Sequence, residues 1–151
     1  MVRSDFKFVI LFALAPTFAQ GADVVYNADV VKAECSTEWG DDFSMVKYCM
    51  ENRKEGQRKF ATMVANASEA PIMVEAFARC RSEWGEQWDM VAYCGSQQIK
   101  GALSLETHVD GLPPEISSKI IDSCSQQWGV DFSMVAYCTK NQSEAWRSIN
   151  N

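Results

Sequence analysis

Cys35-Ser-Thr-Glu-Trp-Gly-Asp-Asp-Phe-Ser-Met-Val-Lys-Tyr-Cys49 occurs three times in this chain, in three spellings. It returns as Cys80-Arg-Ser-Glu-Trp-Gly-Glu-Gln-Trp-Asp-Met-Val-Ala-Tyr-Cys94 and as Cys124-Ser-Gln-Gln-Trp-Gly-Val-Asp-Phe-Ser-Met-Val-Ala-Tyr-Cys138. Cys, Trp-Gly, an aromatic, Met-Val, Tyr and Cys keep their offsets in every copy. The first cysteines are 45 and then 44 residues apart, and so are the second ones. A period of this size belongs to stacked supersecondary units, here about two helices per unit. The repeat therefore decides the fold class: all-α, three tandem helical hairpins (about 24–66, 67–110 and 111–151) packed into one small domain.

Each unit reads outward from its Trp-Gly. Residues 71–84 and 114–128 are helix-length apolar patterns that begin with Pro, whose missing N–H costs nothing in a first turn. Residues 27–39 fill the same role without Pro. Gly40, Gly85 and Gly129 follow the Trp, where a left-handed helix C-cap suits a residue lacking Cβ. Asp42 and Asp131 are the expected N-caps of the second helices, and Gln87 is a weaker one. Those helices are expected to run to about Met63, Leu105 and Ile149.

The cysteine spacing needs a bend. Along one unbroken helix, fourteen steps of 1.5 Å would hold Cys35 and Cys49 roughly 21 Å apart, against a Cα–Cα limit of about 7 Å for a disulfide. Folded back at Gly40, they lie roughly 7.5 and 10.5 Å from the corner, within one helical turn of each other. Six cysteines allow fifteen pairings. Repetition favours Cys35–Cys49, Cys80–Cys94 and Cys124–Cys138, because each copy then carries its own staple. The competing link from one copy to the next, such as Cys49–Cys80, strands Cys35 and Cys138. Closing a loop of about fifteen residues contributes roughly 3 kcal/mol in the chain-entropy model, a large share for a two-helix unit. Neither a C-x-x-C redox motif nor a zinc-ligand spacing is present. Met45, Met90 and Met134 each stand four residues before a Cys, so soft-metal (copper) or redox chemistry by Cys/Met pairs is the alternative if the thiols are reduced.

Composition narrows the function. The chain has 151 residues, 47% hydrophobic and 23% charged, as expected of one globular domain. Fourteen Lys and Arg against 20 Asp and Glu argue against nucleic acid, and a single His excludes a multi-His metal site. Residues 1–19 read as a cleaved signal peptide: Arg3 and Lys7 lead an apolar stretch over 8–18, and Thr17-Phe18-Ala19 offers a cleavage site. Eleven residues cover about half of a ~30 Å hydrocarbon core, so no membrane span is expected in the mature chain. The expected location is secreted or periplasmic, in a space where disulfides persist.

On a helical projection, Phe43, Met45, Val46, Tyr48, Cys49 and Met50 occupy an arc of about 220°, too wide for a helix resting on one partner. The second helices should thus be covered by their own first helix and by a neighbouring copy. Gly56, Gly101 and Ala145 share one offset and would allow close helix approach, and Trp39, Trp84 and Trp128 are expected to pack near the sulfurs. Candidate contact residues are the basic segment Arg53, Lys54, Arg58 and Lys59, suited to an anionic surface, with Trp88 and Trp146 as interface anchors. Gln98 and Gln142 could serve buried polar groups. His108 falls in the expected linker beside Glu106 and Asp110. Asn66-Ala-Ser68 and Asn141-Gln-Ser143 fit a glycosylation pattern. No phosphate loop, nucleophile elbow or H-E-x-x-H occurs. The expectation is no catalysis and no cofactor.

The stapled two-helix unit resembles the twin-cysteine coiled-coil-helix hairpin proteins, which are mostly non-catalytic. Their spacings are shorter and they carry two bridges per hairpin, so the likeness covers architecture. A fainter similarity is to small secreted helical lysozyme inhibitors, where a Cys-bearing helix pair meets a cell-wall enzyme; that resemblance implies an inhibitor as a further alternative. Together these features lead to an expected interaction or structural module that binds a protein or cell-envelope component through its helical repeats.

Overall fold

Six helices form in the computed structural model, which describes residues 24–150; the leader read at residues 1–19 lies outside the described residues. They are α1 (Ala28–Trp39), α2 (Phe43–Asn66), α3 (Pro71–Trp84), α4 (Trp88–Val109), α5 (Pro114–Trp128) and α6 (Phe132–Asn150). Short and long helices alternate, so each unit is a short helix, a corner and a long helix, as the repeat predicts. Asn27 caps α1 by accepting from the Val30 amide at 3.2 Å. Asp42 and Asp131 cap α2 and α6 through the Met45 and Met134 amides, at 3.1 and 3.3 Å. Gln87 makes no such bond. Pro71 and Pro114 open α3 and α5.

The corner differs in kind from the expected left-handed cap. Gly40, Gly85 and Gly129 have φ of 56, 53 and 57° but ψ near −125°. The Trp carbonyl before each glycine accepts from the amide three residues on: Asp42 to Trp39, Gln87 to Trp84 and Asp131 to Trp128, at 3.0–3.1 Å. That is the first central position of a type II′ turn, a backbone region closed to residues with a Cβ. One tight turn reverses the chain and also delivers the next helix's N-cap. The long helices α2 and α4 also run three to four residues beyond the expected ends, because no Gly or Pro follows Met63 before Pro71, or Leu105 before Gly111. His108 is thereby in the last turn of α4, not in a linker.

The reversal brings the sulfurs together. Cys35–Cys49, Cys80–Cys94 and Cys124–Cys138 are bonded, with Cα–Cα distances of 5.9, 5.7 and 5.7 Å. No link crosses between units.

Units join chiefly through their long helices: α4 lies against α2 and against α6, while each short helix packs mainly on its own long helix. Gly56 faces the Trp88–Asp89 backbone, Gly95 faces Phe60 and Met63, and Gly101 faces the Phe132–Ser133 backbone. Each long helix therefore starts beside the middle of the preceding one and runs the same way. The offset is about 13 residues, or roughly 20 Å, giving a staircase of three steps. The first junction holds the main apolar cluster, with Val31, Cys35, Phe60, Phe77, Trp88 and Val91 buried together. Phe60 meets Phe77 edge-on at 5.7 Å and Trp88 at 6.2 Å.

The second junction is more polar. Asp131 accepts from Arg79 at 2.8 Å and Gln98 at 3.3 Å, across the units. Burial pushes its carboxyl up, but hydrogen bonds from Ser133, Arg79, Gln98 and the Met134 amide together outweigh that and hold it below the ordinary carboxylate range. Thr139 and Ser143 are fully buried, and their hydroxyl oxygens have no partner, nor does Gln98 Oε1. They stand where unit 2 has Gly95 and Ile99.

Candidate functional site

The basic segment is divided by its helix. Arg53 points inward, 7% exposed, and pairs with Glu34 and with Glu38 at 3.4 Å. Lys54, Arg58 and Lys59 are exposed, and Glu55 pairs with Arg58 at 2.8 Å and Lys59 at 3.8 Å. Expected as one contact surface, these four residues do not form one: Arg53 ties α2 to α1, and an acidic neighbour offsets two of the others.

Trp88 is likewise not a surface anchor. It is completely buried, its Nε1 donates to Glu86 at 2.8 Å, and Arg81 lies over its ring at 4.4 Å. The larger ring in place of Phe fills the first junction. Trp146 is half-buried and lines an open groove of about 460 Å³ with Ile116, Ile120, Ala145 and Ile149. Gln142 borders the same groove, whereas Gln98 is buried at the second junction.

What the sequence reading placed with the core, the structure places outside it. Tyr48, Tyr93 and Tyr137 are 58, 59 and 62% exposed. Trp39 and Trp128, expected to pack over the sulfurs, keep more than a third of their surface open. A signal was present: Tyr48 stands at one edge of the 220° arc, and a side chain with a polar tip kept there three times suits a surface better than a core.

Tyr48 and Tyr93 flank a groove between α2 and α4. One hollow of about 210 Å³ is lined by Glu38, Trp39, Tyr48, Asn52 and Asp89 among others. A second, of about 360 Å³, continues from Asn52 and Asp89 past Glu55, Lys59, Tyr93 and Ser96. Phenols, amides, carboxylates and an ammonium line it. Such a surface offers flat apolar contact from Trp39 and the two phenol rings, with hydrogen-bonding groups of both senses around them.

No family model, curated protein or solved structure matches the chain.

All six cysteines are disulfide-bonded, which removes the thiols a Cys/Met copper site or a redox exchange would use. Among the described residues no cluster of three or more His, Cys, Asp or Glu is placed to hold a metal ion. His108 contributes a backbone carbonyl: with that of Asp110 it accepts from Arg147, at 3.1 and 2.8 Å, which fastens the end of α4 to α6. Asn141 is in α6 and its Ser143 is buried, so that glycosylation pattern is not on a loop. No helix among the described residues is long and apolar enough to cross a membrane.

Proposed function

We propose that this chain is a secreted or periplasmic interaction module without catalysis, which holds a protein or cell-envelope component against the Tyr/Trp face of its repeats. The observation that carries the reading is the equal exposure of Tyr48, Tyr93 and Tyr137. Packing does not account for a tyrosine kept at one offset in all three units yet more than half open in each. Tyr and Trp lose little conformational freedom on binding and are the residues on which interfaces concentrate their energy. Three exposed tyrosines at one repeat offset on a single chain also favour an extended or multivalent partner, since a second contact then forms at high effective concentration. The disulfides support the location, because such staples persist in oxidising compartments.

The test is retention on an envelope fraction, comparing the chain with a Tyr48→Ala, Tyr93→Ala, Tyr137→Ala variant of matched helical content. The expected result is a saturable partner whose affinity falls by at least about tenfold in the variant, an interface loss of roughly 1.4 kcal/mol. Equal retention of both proteins, retention of neither, or substrate turnover by the purified chain would defeat the proposal.

A further inference from the structure

The two internal junctions are copies of one joint, and each of its halves occurs once more without a described unit docked on it. The entering half is the start of a long helix. Trp88 enters the first junction and is fully buried there, and Phe132 occupies the same place in the second. Phe43 holds the equivalent position in unit 1, where no described unit precedes it, and it is 77% exposed. The receiving half is the groove between a short and a long helix. In unit 1 its walls include Val31, Gly56 and Phe60, all buried. In unit 3 the same offsets carry Ile120, Ala145 and Ile149 around the open groove beside Trp146. A chain with both halves free is built to add copies head to tail, and such a contact closes on nothing, so it grows into fibres.

Two departures from the repeat stand at these free halves. The receiving glycine, Gly56 and then Gly101, becomes Ala145. A Cβ on Gly101 would lie 2.5 Å from the Phe132 carbonyl carbon and 2.8 Å from the Ser133 nitrogen. Those are backbone atoms, which cannot turn aside as a side chain can, so the same Cβ on Ala145 meets any helix arriving in the native register. On the entering side, Ala92 and Ala136 are each 6% exposed beneath the preceding unit, while the equivalent residue in unit 1 is Lys47, exposed and paired with Glu51 at 2.9 Å. Docking would strip water from that ammonium.

We propose that Ala145 and Lys47 are stop residues, which prevent the free ends of two copies of this chain from joining as the internal units do. Solenoid units that carry no neighbour need modified outer faces to stay soluble, and here two side chains supply the modification.

Sedimentation velocity over a concentration series tests this with the whole chain. The unaltered chain should remain monomeric. Lys47→Ala with Ala145→Gly should self-associate at least about tenfold more tightly than any limit set by the unaltered chain. Adding Phe43→Glu to that pair should return it to monomer, which separates docking from general stickiness. All three positions are exposed, and an unchanged helical circular dichroism signal would verify the fold. Three results would overturn the proposal: Phe43-dependent association of the unaltered chain, a double variant that stays monomeric, or association that survives Phe43→Glu. An independent reading comes from Gly101→Ala, which should raise amide exchange at the start of α6; unchanged protection there would also overturn it.

Discussion

Gly101→Ala is the sharpest test of how the units are joined, because two effects of opposite sign meet at one atom. Gly101 lies mid-helix in α4, where Ala is favoured by about 1 kcal/mol on helix propensity. If the glycine had no packing role, the substitution would stabilise the chain by that amount. The added Cβ, however, would sit 2.5 Å from the Phe132 carbonyl carbon, whereas ordinary contact begins near 3.4 Å. Backbone must therefore move by about 1 Å, and a gap of that size forfeits a quarter to a half of the dispersion energy across the contact. The moving segment adjoins Asp131, so the Arg79–Asp131 and Gln98–Asp131 bonds between the units stretch with it. Overpacking of this kind costs 1–3 kcal/mol and sometimes more. Adding the strained polar links and subtracting the propensity gain leaves a net loss of about 2 kcal/mol. Urea unfolding followed by Trp fluorescence would show it as a midpoint lowered by about 1 M. A separate early transition is also consistent, since unit 3 can undock first. A variant as stable as the parent, or more stable, would refute the claim that backbone contact fixes this glycine.

Thr139→Val should stabilise the chain by about 1 kcal/mol, because it removes a fully buried hydroxyl oxygen that has no partner; a lower urea midpoint would mean that the oxygen is satisfied after all. Removing one staple with Cys80→Ala and Cys94→Ala should cost roughly 3 kcal/mol, read in the same assay, and a thiol titration of the unaltered native chain should find no free thiol. Trp88→Ala should cost about 3–5 kcal/mol, whereas Phe43→Ala at the matching exposed position should change stability by less than about 0.5 kcal/mol. Asp131 has a carboxyl held below its ordinary value, so its contribution is complete above about pH 4 and disappears as pH falls through the native value. Asp131→Asn should therefore lose about 1 kcal/mol at pH 7 and show a flatter decline from pH 5 to pH 2, measured as urea midpoints; parallel curves for both proteins would contradict this.

The fold was legible because its determinants are local and occur three times. The Trp-Gly pair marks the turn, the residue two places after the glycine marks the next helix start, and the cysteine spacing requires the chain to double back between them. Spacing alone could not distinguish a helix cap from a type II′ turn, since both ask for positive φ and differ only in ψ. The helix ends were misjudged because length follows from the absence of a breaker, a weaker signal than a cap. Of the expected contact residues, Arg53 and Trp88 failed for one reason. Each differs from its counterparts in the other two units and was expected at the surface, yet such a difference also arises where one unit is packed differently from the next. Arg53 answers Glu34 and Glu38 in its own hairpin, and Trp88 fills a junction that Phe132 fills less fully.

Comparing burial between units separates the repeated residues that packing accounts for from those it does not. Val46, Val91 and Val135 recur and are buried at 9, 0 and 0%, so packing accounts for them. The tyrosine two places on recurs with equal fidelity and stays open in every unit. Residues that vary follow a different rule, set by what each unit has before and after it. Lys47, Ala92 and Ala136 share an offset, as do Gly56, Gly101 and Ala145, and in both sets the residue that differs stands at a junction half with no described unit docked on it. The exposed tyrosines are constant along the staircase, and the variable positions mark the units that lack a described neighbour on one side. If Gly101→Ala leaves the second junction intact, a Cβ at Ala145 is no barrier to a docking helix, while the exposure of Tyr48, Tyr93 and Tyr137 is unaffected, because no junction contact enters it.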